Sequence, residues 1–168
     1  MKKLFALFAA FSVCICAFAQ QNLQTVKKAS PIVPPFHILK IDSATYYTNA
    51  DLKKHHETLI MYFSPECDHC KHQTKDLIEE MDKLKNIEIV MATYFPFSEM
   101  KEFYKNFKIG DYPNIKIGRD EKYTLPSYYT IHSLPFLALY DKKGNLVKTF
   151  EGNQKISTLL DAFKNSSE

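Results

Sequence analysis

The chain alternates between compact apolar runs and stretches in which apolar residues recur every three or four positions. Thr58 to Phe63 is one such run, with no polar alternation, and predicts a strand buried on both faces. Ile87 to Tyr94 and Phe136 to Tyr140 predict two more strands. Leu77, Ile78, Met81 and Leu84 are spaced by three and four with Lys and Glu between them, which predicts a helix from Asp68 to about Leu84. Met100, Phe103, Tyr104 and Phe107 form the inner face of a second helix, from Glu99 to Phe107 with Ser98 as its cap. A third amphipathic helix spans Ile156 to Phe163.

Shorter signals fill the gaps. Phe36 to Ile41 and Ala44 to Thr48 carry β-formers and predict a hairpin, and Asn49 caps a helical turn toward Lys54. Ile115 to Ile117 predicts a short strand, and Leu125 to Tyr129 a helical turn. Asp141-Lys142-Lys143-Gly144-Asn145 is a turn, and Leu146 to Phe150 is the strand that returns from it. Strand, helix, strand, helix, strand, hairpin strand, helix is the order of an α/β protein with parallel pairs and a closing antiparallel hairpin.

The first residues break this pattern. Lys2 and Lys3 precede an apolar stretch from Leu4 to Phe18, and Ala17-Phe18-Ala19 supplies small residues for cleavage before Gln20. Residues 1–19 therefore read as a signal peptide. The competing reading is a retained anchor, but the run is about 15 residues and a bilayer span needs roughly 20. Lipid attachment at Cys14 or Cys16 is a further alternative, although Val13 and Ile15 stand where a small residue belongs. Residues 20–32 are polar and pattern-free, a mobile lead-in to a domain over 33–168. The expected location is the bacterial periplasm, and no segment of the mature chain is expected to span a membrane.

Composition adds an exclusion. The 168 residues carry 22 basic and 19 acidic side chains, a net charge of +3, too even a balance for a nucleic-acid binder. The cysteine count adds chemistry. Of four cysteines, Cys14 and Cys16 leave with the leader, so the mature chain keeps Cys67 and Cys70. Two cysteines so close restrain little chain, so their value is reactive rather than structural.

Their place in the pattern sharpens this reading. Both lie where a buried strand turns into a helix, and the first backbone N–H groups of a helix favour an anion. Cys67 is thus the expected exposed nucleophile. Cys70, one turn further, is the expected resolver of a mixed disulfide at Cys67. His69, when protonated, stabilises the sulfur anion, while Asp68 opposes it, and the two are expected to tune the couple. Cys-x-x-Cys also occurs in zinc sites, usually with a second pair of ligands. Cys67, Cys70 and His72 are the residues such a copper- or zinc-handling module would use, and this is the alternative to redox turnover. A purely structural disulfide is the third reading. No resident metal or cofactor is expected.

Phe63-Ser64-Pro65-Glu66-Cys67-Asp68-His69-Cys70-Lys71 resembles the active-site turn of the thioredoxin superfamily. Tyr129-Thr130-Ile131-His132-Ser133-Leu134-Pro135, followed by Phe136 to Val147, resembles its second signature and closing hairpin. Val33-Pro34-Pro35-Phe36 is similar to the opening of the exported TlpA-like and ResA-like branch. The resemblance covers roughly residues 33 to 165. It implies a thioredoxin-like fold with a central mixed β-sheet flanked by helices, extended by the N-terminal β-hairpin. It also implies a cis bond before Pro135 packed against the dithiol, with Leu134 offering backbone groups to a bound substrate strand. The implied activity is protein thiol-disulfide exchange, as a reductase. Its partners would be substrate proteins carrying disulfides or thiols, and an envelope electron donor.

Three positions depart from the family pattern. Met61 stands where thioredoxins keep a buried acid, and Gln73 where many TlpA-like proteins carry Glu. Glu66 replaces the usual tryptophan. The ordinary proton acceptor for Cys70 is therefore missing. Glu66, Asp68 or water are the expected substitutes.

Overall fold

The computed structural model describes residues 32–166. The leader, its cleavage point and lead-in residues 20–31 lie outside the described residues. Ile32, the last residue assigned to the lead-in, already bridges Asn145.

The strands are β1 (His37–Lys40), β2 (Tyr46–Thr48), β3 (Glu57–Tyr62), β4 (Ile87–Thr93), β5 (Ile115–Arg119), β6 (Phe136–Tyr140) and β7 (Leu146–Glu151). The helices are α1 (Asp68–Glu79), α2 (Met81–Leu84), α3 (Phe97–Asn106), α4 (Thr124–Tyr128) and α5 (Ile156–Asn165), with short 3₁₀ turns at Asn49–Asp51 and Ile109–Asp111. One mixed sheet runs in the order β2-β1-β5-β4-β3-β6-β7. The central pairs β3/β4 and β4/β5 are parallel, and the others are antiparallel. This is a thioredoxin-like α/β fold.

The missing polar alternation in β3 has a plain cause. Leu59, Met61 and Phe63 face one apolar cluster with Cys70, Leu77, Met100, Phe103, Leu159 and Phe163. Ile60 and Tyr62 face a second cluster with Phe36, Ile38, Leu125 and Tyr129. Helices α1, α2, α3 and α5 cover one face of the sheet. Side chains of the N-terminal hairpin and of the segment around α4 fill the cluster on the other face.

The hairpin is more than an appendage. Strand β1 pairs with β5 through Leu39↔Arg119 and Lys40↔Gly118, so it extends the sheet. Gly118 permits the approach, because a Cβ there would come within 2.8 Å of the Ile38 side chain.

Two helix boundaries differ from the periodicity. The stretch expected as one helix to Leu84 breaks at Glu80, whose φ of −106° and ψ of 22° leave the helical region. Met81 and Leu84 still pack on the core, so the apolar spacing continues across a break it cannot register. The second helix starts at Phe97, and Pro96 rather than Ser98 occupies its cap. Proline pre-sets the entry dihedral, and its carbonyl accepts from the N–H groups of Glu99 and Met100 at 3.1 and 3.2 Å.

The site follows from the topology. Cys67 lies just beyond the end of β3. Because β6 is antiparallel to β3 with Tyr62 opposite Phe136, the start of β6 sits beside that same end. Residues far apart in sequence, Cys67 and Leu134, are thereby brought together.

Candidate active site

Phe63 extends the β3–β4 ladder by one bond, its N–H reaching Ala92 O at 3.0 Å. Ser64 then turns the chain: its carbonyl accepts from Cys67 N–H at 3.2 Å, and its Oγ from Glu66 N–H at 3.3 Å. Cys67 is left as the N-cap of α1, in extended backbone. Its Sγ accepts a hydrogen bond from Cys70 N–H at 3.4 Å, filling the place that a Ser or Asp oxygen takes in an ordinary cap. The helix start that the sequence predicts is therefore occupied by a sulfur.

The two cysteines are free thiols in unlike environments. Cys67 is half-buried, and its Sγ lies 3.8 Å from the carbonyl oxygen of Leu134, to which the thiol donates. Cys70 has no exposed surface. Burial pushes its thiol pKa far up, and its hydrogen bond with Cys67 adds to the shift. Cys70 thus stays protonated at neutral pH.

The other expected residues divide. The Leu134–Pro135 bond is cis, Pro135 is buried, and its carbonyl accepts from Gly152 N–H at 2.8 Å. Asp68 points into solvent and pairs with Lys71 at 3.2 Å. His69 is exposed. Glu66 is exposed on the turn before Cys67.

The two family positions that lack an acid have definite roles in packing. Met61 is wholly buried in the helix-side core. Gln73 is wholly buried and bonded through both amide atoms: Nε2 donates to Gln154 O at 3.1 Å, and Oε1 accepts from Asn153 Nδ2 at 3.2 Å and Gln154 N–H at 2.6 Å. It ties α1 to the loop between β7 and α5. A neutral amide is not a base, so it offers nothing to a proton leaving Cys70.

Three positioning residues escaped the sequence reading. Glu151 accepts from His132 N–H and Ser133 Oγ at 3.0 Å each, which holds the loop carrying Leu134. Asp120 is wholly buried and accepts from Thr124 and Leu125 N–H at 2.9 Å each, capping α4. Glu88 accepts from Tyr47 OH at 2.7 Å and Lys53 N–H at 2.6 Å, which pins the hairpin to β4. Each partner lies on another element, except for the Asp120 cap. Only Asp120, four residues before Thr124, carried a local signal of the capping kind.

Among the described residues no three His, Cys, Asp or Glu side chains gather as a metal site. No described helix is long and apolar enough to cross a membrane.

A family model described as a thioredoxin-like domain matches residues 47–166. The exposed lipoprotein thioredoxin of Streptococcus pneumoniae is similar in structure, with 22% identity over 79% of this chain and 99% of that one, at a TM-score of 0.64. StoA from Bacillus subtilis has 20% identity over 80% and 98%, at 0.58. A secreted disulfide oxidoreductase of Mycobacterium tuberculosis has 13% identity over 77% and 95%, at 0.64. These identities speak for the fold alone. No curated protein sequence matches the chain.

Proposed function

Because the chain belongs to the thioredoxin-like domain family, we propose that it is an exported protein thiol-disulfide oxidoreductase that reduces disulfides through Cys67 and Cys70. The observation that carries this reading is the half-buried Cys67 sulfur at the mouth of α1, bonded to Cys70 N–H and facing the Leu134 carbonyl.

The Cys67 thiolate attacks one sulfur of a substrate disulfide. The substrate S–S bond breaks, a mixed disulfide forms, and the leaving thiolate takes a proton. Cys70 then loses its proton and attacks the Cys67 sulfur, releasing the second substrate thiol. Two electrons and two protons pass to the substrate, and a Cys67–Cys70 disulfide remains. A dithiol donor in the envelope restores the protein by the reverse exchange, since an export site is oxidising.

Leu134 offers its backbone to the substrate strand, and Pro135 shapes the turn that presents it. Around Cys67, protonated His69 favours the thiolate. Lys71 offsets part of the Asp68 charge, and Glu66 adds negative charge before the sulfur. Export is supported by the leader. Two structural neighbours, one an exposed lipoprotein and one secreted, point the same way. We place the protein in the bacterial periplasm.

Insulin reduction with dithiothreitol as final donor tests the activity, together with the reduction potential of the couple. Turnover and a potential above about −300 mV are expected. No turnover and a potential below that value would assign the pair to a structural disulfide instead.

A further inference from the structure

A second feature adjoins the reactive turn. A cleft of about 600 Å³ opens between Pro65-Glu66 and α3, where Glu99, Glu102, Phe103 and Phe107 line it. Among the described residues that line it Lys71 is the one basic side chain, and it is engaged with Asp68 at 3.2 Å. The lining therefore carries a surplus of negative charge in a protein whose net charge is +3.

One carboxylate oxygen of Glu99 is shut off from solvent and has no hydrogen-bond partner among the described residues. Holding that oxygen without a donor is costly, and positive charge brought beside the carboxylate offsets part of the cost. Half-buried Phe107, backed by the buried ring of Phe103 at 4.5 Å, supplies apolar surface against which a methylene stem can lie and a ring that attracts a cation. Apolar wall and acidic rim together match a long basic side chain. They suit neither an acidic side chain nor a purely apolar one.

We propose that this cleft binds a lysine or arginine side chain of the substrate protein, placed next to the disulfide that Cys67 attacks. This specificity rests on the redox reading above. It adds a reason for choosing one disulfide over another. Pro65 and Glu66 precede Cys67 directly, so a residue beside the substrate half-cystine reaches the cleft while its sulfur faces Cys67.

The test uses three synthetic peptide disulfides that differ only in carrying Lys, Gln or Glu beside the half-cystine. We expect kcat/KM to fall in the order Lys, Gln, Glu. The Lys to Glu ratio should be about tenfold at low salt and shrink as ionic strength rises, as partly exposed charges require. In the Glu99→Gln/Glu102→Gln variant the ratio should approach one. In Asp161→Asn, which removes an acid on α5 outside the cleft, it should persist. Using the ratio cancels any uniform loss of activity.

Equal rates for the Lys and Glu peptides, or an unchanged ratio in the double variant, overturn the proposal while turnover of the Gln peptide leaves the redox reading standing. Absence of turnover on all three peptides overturns the redox reading and this one with it.

Discussion

Cys67→Ser is expected to lower disulfide turnover by about three orders of magnitude or more, because a serine hydroxyl is not ionised at neutral pH and cannot replace a thiolate as the attacking group. The half-buried position of Cys67 at the helix mouth is what a substrate sulfur can reach. Cys70→Ser is expected to abolish turnover as well, by a different route. The first attack still occurs at Cys67, so one equivalent of substrate is captured and held. Steady-state insulin assays give the two losses, and a stoichiometric burst of released thiol separates them. The burst should be present in Cys70→Ser and absent in Cys67→Ser.

The pH dependence of the wild type follows from the burial of Cys70. Its thiol pKa is raised, so it is protonated throughout the neutral range and must lose that proton to attack. The thiolate fraction of such a group grows about tenfold per pH unit below its pKa. Resolution of the mixed disulfide should accelerate accordingly from pH 6 to 8. Neither Met61 nor the neutral amide of Gln73 supplies a base to flatten that dependence.

Phe63→Ala is expected to cost about 3–5 kcal/mol of folding stability. Phe63 has no exposed surface, and its ring centroid lies 4.7 Å from that of Phe103. Truncation leaves a cavity under the turn that carries Ser64 to Cys67, between β3 and α3. Urea unfolding followed by far-UV circular dichroism would register the loss as a lower midpoint with an unchanged slope. Activity should also fall, because the cap geometry of Cys67 is built on that residue's packing. The Lys preference should weaken too, since Phe103 loses its neighbour.

The parts of this fold legible in the sequence are those with a local signal. The uninterrupted run in β3 announced burial on both faces, and Cys67 at a strand-to-helix turn announced the dithiol. The Asp141–Asn145 turn announced the closing hairpin, whose Asp141 carboxylate accepts from the Lys143 and Asn145 N–H groups at 2.8 Å each. Helix ends were less legible. The Glu80 break leaves the apolar spacing intact, and Pro96 displaces a nearby serine of higher capping preference because its fixed φ already suits the entry.

Long-range polar contacts were not legible at all. Glu88, inside a strand expected to be apolar, is buried because Tyr47 and the Lys53 N–H reach it from the hairpin side. Glu151 holds the Leu134 loop only because β7 places it opposite Phe136. Gln73 reads as a lost acid in sequence and as a tie between elements in three dimensions. Side-chain type states what such residues can bond. Topology alone states whether a partner arrives.

The mixed disulfide itself offers the most direct test. A reaction of the reduced wild-type protein with a peptide disulfide can be quenched by acid in mid-course and the adduct located by peptide mapping. The captured half of the substrate should be attached to Cys67, with Cys70 still a free thiol. Substrate found on Cys70, or shared evenly between the two cysteines, would contradict the account.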